Sequence, residues 1–303
     1  MRRAYVGAVT GVSHTVRMLN DLALGRGHLD RLGERRAGAT WFADVCADPR
    51  TVVIGVDGGD LVMEGRRPAD LRHLEVDPAQ AALIGSVDGR IHVARFGTRD
   101  ERSRSLREVG AELTDDEAAV ATAAVALHQW HRTHTHCPRC GAPTVSALAG
   151  WERHCQSDGT AHYPRTDPAV IVVIVDEADR ILLARQHVWP ERRFSLVAGY
   201  VEPGETAEQA VAREVLEEVG VQVGEPEFLG SQPWPFPASL MLCYRVPAQS
   251  TDITVDGVEI AQAGWFTRAE LRAAVADGSL SLPSRVSIAR RGIEHWLGAS
   301  LDD

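Results

Sequence analysis

Three glutamates form the most informative cluster of reactive side chains in the sequence. Glu214, Glu217 and Glu218 are spaced i, i+3 and i+4, so on a helix with about 100° per residue they share an arc of roughly 100°. Like charges at this spacing repel each other, and carboxylates near a helix C-terminus also oppose the helix dipole. Hard divalent cations bind such oxygen ligands and complete their coordination with waters and phosphates. The cluster therefore predicts a cation site that accepts a phosphate-containing ligand.

The alternative is a solvated acidic surface balanced by basic side chains. The chain contains no lysine, however, and Arg213 is the one arginine within this helix. The scarcity of basic partners favours the cation site.

The helix that carries the glutamates has sequence signals at both ends. Thr206 and Gln209 fit the pattern of a capping box, and Gly220 lies where a left-handed C-terminal residue is expected. An apolar stripe that can pack on a sheet runs beside the acids, at Val211, Val215 and Val219.

Alternating apolar residues and turn signals predict an α/β chain around this helix. The predicted strands are Ala169–Val175 with its hairpin partner Arg180–Ala184, and the hairpins Thr51–Val56 with Leu61–Met63 and Ala82–Ile84 with Ile91–Ala94. An alanine-rich helix is predicted from the N-cap Thr114 to about His131.

A proline-aromatic run follows the helix, from Ser231 to Ser239. Alternating prolines fix φ and remove backbone donors, so we expect a stiff extended segment that displays Trp234 and Phe236. A proline-rich edge strand and a ligand for a recognition domain are the alternatives.

Cys137 and Cys140 form a Cys-x-x-Cys knuckle of the kind that chelates tetrahedral Zn²⁺, and Cys155 is a third candidate ligand. Cys46 and Cys243 stand alone and are expected in the core.

The segment from Gly199 to Val221 resembles the Nudix box, in which Gly199, Glu205, Arg213, Glu214, Glu217, Glu218 and Gly220 hold the fixed spacing. Nudix hydrolases cleave a nucleoside diphosphate linked to another group. The resemblance implies that the box glutamates bind two or three Mg²⁺ or Mn²⁺ ions. It also implies that Arg213 pairs with Glu205, that the carbonyl of Ala198 binds a metal, and that Glu259 supplies a further acidic ligand.

The proline-aromatic run next to that box resembles the NAD(H) diphosphatase branch of the family. This resemblance implies a dinucleotide pocket lined by Gln232, Pro233, Trp234, Pro235, Phe236, Pro237, Ala238 and Ser239. Tyr163, Arg107 and Ala289 occupy further positions where the branch contacts substrate. The implied reaction is metal-dependent hydrolysis of NADH or NAD⁺ to nicotinamide mononucleotide and AMP, with removal of NAD caps from RNA as an extension. The alternatives are a Nudix hydrolase of broader specificity, acting on ADP-ribose or dinucleoside polyphosphates, and a non-catalytic nucleotide or RNA sensor.

The same branch carries a second Cys-x-x-Cys knuckle, but this sequence has Asp158 where the fourth cysteine is expected. Asp158 could therefore complete a zinc site with Cys137, Cys140 and Cys155. His154 or His162 could replace it, and a module without metal is the remaining alternative.

Length and composition indicate the class of protein and its domain organisation. The 303 residues carry a net charge of −10, which argues against non-specific binding to nucleic acid. Five cysteines and the absence of a long apolar run predict a cytoplasmic protein without a membrane span. We expect an α/β N-terminal domain (1–132), a zinc-ribbon-like module (133–165) and a Nudix α/β/α sandwich with a mixed sheet (166–303), assembled as a homodimer.

Overall fold

Three β-sheets follow one another along the chain in the computed structural model, which describes residues 18–301. The first sheet contains β1 (Val52–Asp57), β2 (Asp60–Glu64), β3 (Arg67–Pro68), β4 (Ala81–Val87), β5 (Arg90–Phe96) and β6 (Ser103–Ser105). Its order is β3-β2-β1-β5-β4, with β6 beside β2. Both predicted hairpins are confirmed, since β1 pairs with β2 and β4 with β5 in antiparallel fashion.

Helices α1 (Ala39–Ala47), α2 (Leu106–Val109) and α3 (Asp115–Thr133) belong to the same part of the chain. The predicted N-cap is confirmed, because Thr114 and Glu117 form a complete capping box at the start of α3. Small residues on α3 pack with the first sheet in one core, which includes Ala118, Ala121 and Ala124. Trp234 and Phe236, from the proline-aromatic run, pack against that core as well.

The second sheet is small, with strands β7 (Thr144–Ala147), β8 (Glu152–Cys155) and β9 (Ala161–His162) in that order. Trp151 fixes it to the first sheet, because its indole N–H donates to the carbonyl oxygen of Leu83 at 2.6 Å. Gly150 also lies against that sheet with φ +89°, and a Cβ there would lie 2.5 Å from Cβ of Ala82. Only glycine permits this close approach.

The third sheet contains β10 (Asp167–Val175), β11 (Ile181–Gln186), β12 (Val197–Tyr200), β13 (Glu227–Trp234), β14 (Ser239–Pro247) and β15 (Ile260–Phe266). Its order is β13-β14-β10-β11-β15, with β12 beside the first half of β10. The pairing of β10 with β14 is parallel and the others are antiparallel, so the sheet is mixed, as predicted.

Helices α4 (Ala207–Val219), α5 (Arg268–Ala276) and α6 (Ile288–Leu297) cover the two faces of the third sheet. The central strand β10 is buried on both faces, which explains its continuous apolar sequence. Val170, Val172 and Ile174 pack in one core with α4. Ile171, Val173 and Val175 pack in the other core with α6. This α/β/α sandwich after a ribbon and a mixed α/β unit confirms the predicted fold class.

None of the helices in residues 18–301 has both the length and the apolar character needed to cross a bilayer.

Candidate active site

Helix α4 presents the glutamates as the sequence predicts. Its capping box forms, with the hydroxyl of Thr206 accepting from the Gln209 backbone N–H at 3.2 Å and the side-chain Oε1 of Gln209 accepting from the Thr206 backbone N–H at 2.8 Å. The helix ends at Gly220, whose φ of +72° is left-handed. Its valine stripe is fully buried against the sheet, at Val211, Val215 and Val219. This packing fixes the rotation of α4 and therefore the direction of its acids.

Arg213 binds several carboxylates at once. Its guanidinium donates to both carboxylate oxygens of Glu205 at 2.8 Å. It also reaches Glu214 at 2.8 Å and Glu217 at 3.0 Å, and it donates to the carbonyl oxygen of Tyr200 at 2.9 Å. Arg213, followed by the Glu202 N–H, lowers the pKa of Glu205 to about 2. The Arg213–Glu205 pair implied by the resemblance is thus present, and it ties α4 to the loop before it.

Gly199 allows Glu214 to lie directly against β12. A Cβ at position 199 would lie only 1.9 Å from the carboxyl carbon of Glu214. Any side chain at this position would therefore displace that carboxylate. The glycine is required by close approach rather than by a left-handed backbone.

Glu218 is the most unusual acid of the cluster. The residue is 4% exposed, and its Oε1 has no hydrogen-bond partner among the residues that the structure describes. Burial, followed by the negative charge of Glu214 and Glu259, raises the pKa of Glu218 to about 8. A buried carboxylate without a counter-charge costs free energy unless a cation compensates it.

The loop before β15 brings the carboxylate of Glu259 toward the cluster, and Asp256 holds that loop in shape. Asp256 accepts hydrogen bonds from the backbone N–H groups of Val258, Glu259 and Ile260. The charge of Glu259 contributes to the raised pKa of both Glu214 and Glu218. Glu259 therefore lies within electrostatic reach of the acids on α4.

A cleft of about 290 Å³ opens beside Glu218. It brings together several residues predicted from separate parts of the chain, namely Arg107, Ala198, Glu218, Trp234 and Ala289. The guanidinium carbon of Arg107 lies 4.3 Å from the ring centre of Phe236 and 5.2 Å from that of Trp234. The two rings contact each other edge to face at 5.0 Å. The cleft thus joins an acidic end to an aromatic and basic wall.

The rest of the proline-aromatic run lies elsewhere. Gln232 is fully buried, where it accepts from the Leu24 N–H and donates to the Val286 carbonyl oxygen. It joins three segments of the chain rather than lining the cleft. A second cleft, of about 600 Å³, is lined by Pro233, Pro235, Ala238 and Ser239. Pro237 follows Phe236 through a cis peptide bond.

Tyr163 is 66% exposed and is not among the residues that line the first cleft. β13 is the edge strand of its sheet, so the edge-strand interpretation describes the first half of the run.

The sequence did not point to several polar and aromatic residues of the cleft, namely Gln186, Trp189, Arg193, Ser195 and Ser287. Trp189 and Arg193 lie in the connection between β11 and β12, and the Arg193 guanidinium carbon is 5.5 Å from the Trp189 ring centre. The available sequence signal was the presence of one tryptophan and two arginines in the connection that precedes the box.

The second sheet gathers the predicted zinc ligands. The ligand atoms of Cys137, Cys140, Cys155 and Asp158 all lie within 4.8 Å of one another. The sulfur atoms of Cys140 and Cys155 are 3.4 Å apart. His154 pairs with Glu152 instead.

Comparison with known proteins agrees with this geometry. The NUDIX domain pattern matches residues 165–283, and that of the NADH pyrophosphatase zinc ribbon domain matches residues 132–163. The NAD-capped RNA hydrolase NudC of Mycobacterium bovis is 38% identical over 313 residues, covering 95% of this chain and 98% of that protein. The chain belongs to the Nudix hydrolase family. The NAD-capped RNA hydrolase NUDT12 of Homo sapiens is 39% identical over 198 residues, covering 61% of this chain and 43% of that protein.

Nudix hydrolases use divalent metals, and the acid cluster fits such ions. Glu218 offers a buried oxygen that accepts no hydrogen bond from residues 18–301, and burial beside other acids raises its pKa, so a cation bound there would compensate its charge. Three sulfurs and one carboxylate in the ribbon are likewise a donor set that suits tetrahedral Zn²⁺.

Proposed function

We propose that this Nudix hydrolase cleaves the pyrophosphate bond of NADH or NAD⁺, giving nicotinamide mononucleotide and AMP. The same reaction on RNA that begins with NAD would leave a 5′-monophosphate. The observation that carries the proposal is a single cleft that is lined by the buried Glu218 together with Arg107 and Trp234. One end suits cations and phosphate, and the other suits a nucleoside.

The acidic end supports hydrolysis of a phosphoric anhydride. We assign the cations to Glu214, Glu217 and Glu218, with the Ala198 carbonyl and Glu259 as further ligands, and propose Mg²⁺ or Mn²⁺. When bound, such ions neutralise the pyrophosphate oxygens and acidify a water. Arg213 holds Glu214 and Glu217 in place from the other side. A carboxylate of the cluster accepts the proton of the attacking water.

The aromatic wall supports a dinucleotide. Trp189 and Trp234 offer ring faces on which a base can stack, since both line the cleft and neither is fully exposed. Arg107 adds a positive charge that suits an anionic substrate. The relatives NudC and NUDT12 are named as NAD-capped RNA hydrolases, which supports this substrate class.

The first experiment is product analysis by chromatography after incubation with NADH and Mg²⁺. We expect nicotinamide mononucleotide and AMP in equal amounts. The Glu217→Gln variant should lower kcat by at least about tenfold, because the cluster loses one anionic ligand. Glu177→Gln is the matched control, since Glu177 is exposed in the turn between β10 and β11. Intact NADH after prolonged incubation would refute the proposal.

Competing substrates distinguish this function from the broader one. ADP-ribose and diadenosine polyphosphates share the pyrophosphate but lack nicotinamide. A kcat/KM for either compound above that for NADH would favour the broader Nudix activity. A protein that binds all of these and cleaves none would be the sensor.

We also propose that the ribbon binds one Zn²⁺ through Cys137, Cys140, Cys155 and Asp158. The homodimer and the cytoplasmic location stay predictions, and light scattering on the purified protein tests the first of them.

A further inference from the structure

Two arginines in the catalytic cleft have no acidic partner. Arg107 lies on α2 and Arg193 in the connection between β11 and β12, and both line the cleft that contains Glu218. Within residues 18–301, neither guanidinium forms an ion pair with a carboxylate. Both lie over aromatic rings instead, Arg107 over Phe236 and Arg193 over Trp189.

The two positive charges are also close enough to affect each other. Partial burial, followed by the positive charge of Arg193, lowers the pKa of Arg107. Two like charges that share a cleft without a counter-ion are stabilised when an anion binds between them, and guanidinium groups bind phosphate oxygens in bidentate fashion.

We assign the pyrophosphate to the acid cluster rather than to these two arginines. Arg213 already pairs with the acids there, since it binds Glu205, Glu214 and Glu217. The cations assigned to that cluster would neutralise the pyrophosphate when bound. Arg107 and Arg193 lie instead at the tryptophans, where the nucleoside is expected.

We propose that Arg193, together with Arg107, binds a third phosphate, one carried on the adenosine ribose of the substrate. This inference rests on the proposed function, because it assigns the substrate class of the same cleft. Free NADH lacks such a group. Two nicotinamide dinucleotides possess one: NADP(H), as a 2′-phosphate, and NAD-capped RNA, as the 3′-phosphodiester that begins the RNA chain. Arg193 is thereby a residue that determines specificity rather than one that takes part in bond cleavage.

Binding of product-like nucleotides tests the phosphate site without requiring turnover. The probes are AMP, adenosine 2′,5′-bisphosphate and adenosine 3′,5′-bisphosphate, titrated by calorimetry into the wild-type protein, Arg193→Gln and Arg192→Gln. Arg192 is the matched control, because it neighbours Arg193 but does not line the cleft and donates to the Gly278 carbonyl oxygen. We expect a bisphosphate to bind the wild type about tenfold more tightly than AMP, the effect of one charge-assisted hydrogen bond. The advantage should vanish in Arg193→Gln and persist in Arg192→Gln.

The preferred bisphosphate isomer identifies the substrate that carries the third phosphate. A preference for the 3′,5′-bisphosphate indicates NAD-capped RNA, and a preference for the 2′,5′-bisphosphate indicates NADP(H). Kinetics with NADH, NADPH and a short NAD-capped RNA extend the test. Arg193→Gln should lower the ratio of kcat/KM for the preferred third-phosphate substrate to kcat/KM for NADH about tenfold. Bisphosphates that bind no better than AMP would overturn the inference even if NADH is hydrolysed. An equal loss for NADH and the preferred substrate would also overturn it. A bisphosphate advantage in a protein that leaves NADH intact would refute the proposed function and retain the phosphate site.

Discussion

Replacing Gly199 by alanine tests whether the position of the Glu214 carboxylate controls activity. The added Cβ would lie 1.9 Å from the Glu214 carboxyl carbon, so that group must withdraw by about 1.5 Å to reach ordinary van der Waals contact. The clash involves the far end of a flexible side chain, so the fold can accommodate it. The carboxylate, however, would leave its position against Gly199, from which its charge acts on Glu218.

We expect Gly199→Ala to lower kcat/KM for NADH by about 100-fold, because misplacing a catalytic group by about 1 Å has effects of that size. The melting temperature should change by only a few degrees. Gly33→Ala is the matched control, since a Cβ at Gly33 meets nothing within 4 Å. Activity is measured by release of AMP, and stability by differential scanning fluorimetry. If Gly199→Ala retains kcat/KM within twofold of the wild type, Glu214 does not need this position and the assignment of its role is refuted.

Two further predictions concern the metals. In metal-free protein, the free energy of unfolding should fall as the pH rises from about 5 to 8, because folded Glu218 keeps its proton up to about pH 8 while the unfolded chain releases it near pH 4.5. Melting curves in EDTA measure this, and a Glu218→Gln variant with the same pH dependence as the wild type would contradict it. Elemental analysis should find one zinc per chain, and Asp158→Ala should lose zinc whereas Cys46→Ser, altered outside the cluster, should keep it. Equal zinc content in both variants would remove Asp158 from the ligand set.

The sequence predicts local structure well where the signals are local. The N-cap at Thr114, the capping box at Thr206 and the end of α4 at Gly220 form as predicted, because each depends on a few neighbouring residues. The parallel pairing of β1 with β5 was not predicted, since it joins strands about forty residues apart and leaves no short-range pattern.

The proline-aromatic run shows why the site was predicted only in part. It was treated as one surface, although successive side chains of an extended segment point to opposite sides. Trp234 and Phe236 pack against the first core, while Pro233 and Pro235 line the second cleft. The period of two separates Pro233 from Trp234 on β13, but residues 235–238 form the turn before β14, where that period does not apply.

Arg193 escaped prediction for a different reason. Its neighbourhood has no capping, periodic or metal-ligand signal, and its place in the cleft depends on how the connection between β11 and β12 folds over the sheet. Only the tertiary structure brings it close to Arg107, which lies 86 positions earlier in the chain.

The N-terminal part of the chain contributes directly to this cleft. Ser105 caps α2, and the Leu106 N–H donates to the Gly59 carbonyl oxygen at 3.0 Å, which fixes the start of the helix that carries Arg107. Gly59 in turn lies against the ring of Phe236, because a Cβ there would be 3.3 Å from it. The acids therefore come from the Nudix sandwich, whereas Arg107 comes from α2 in the N-terminal part of the chain. Changes in the N-terminal part should consequently alter substrate preference more than the chemistry of hydrolysis.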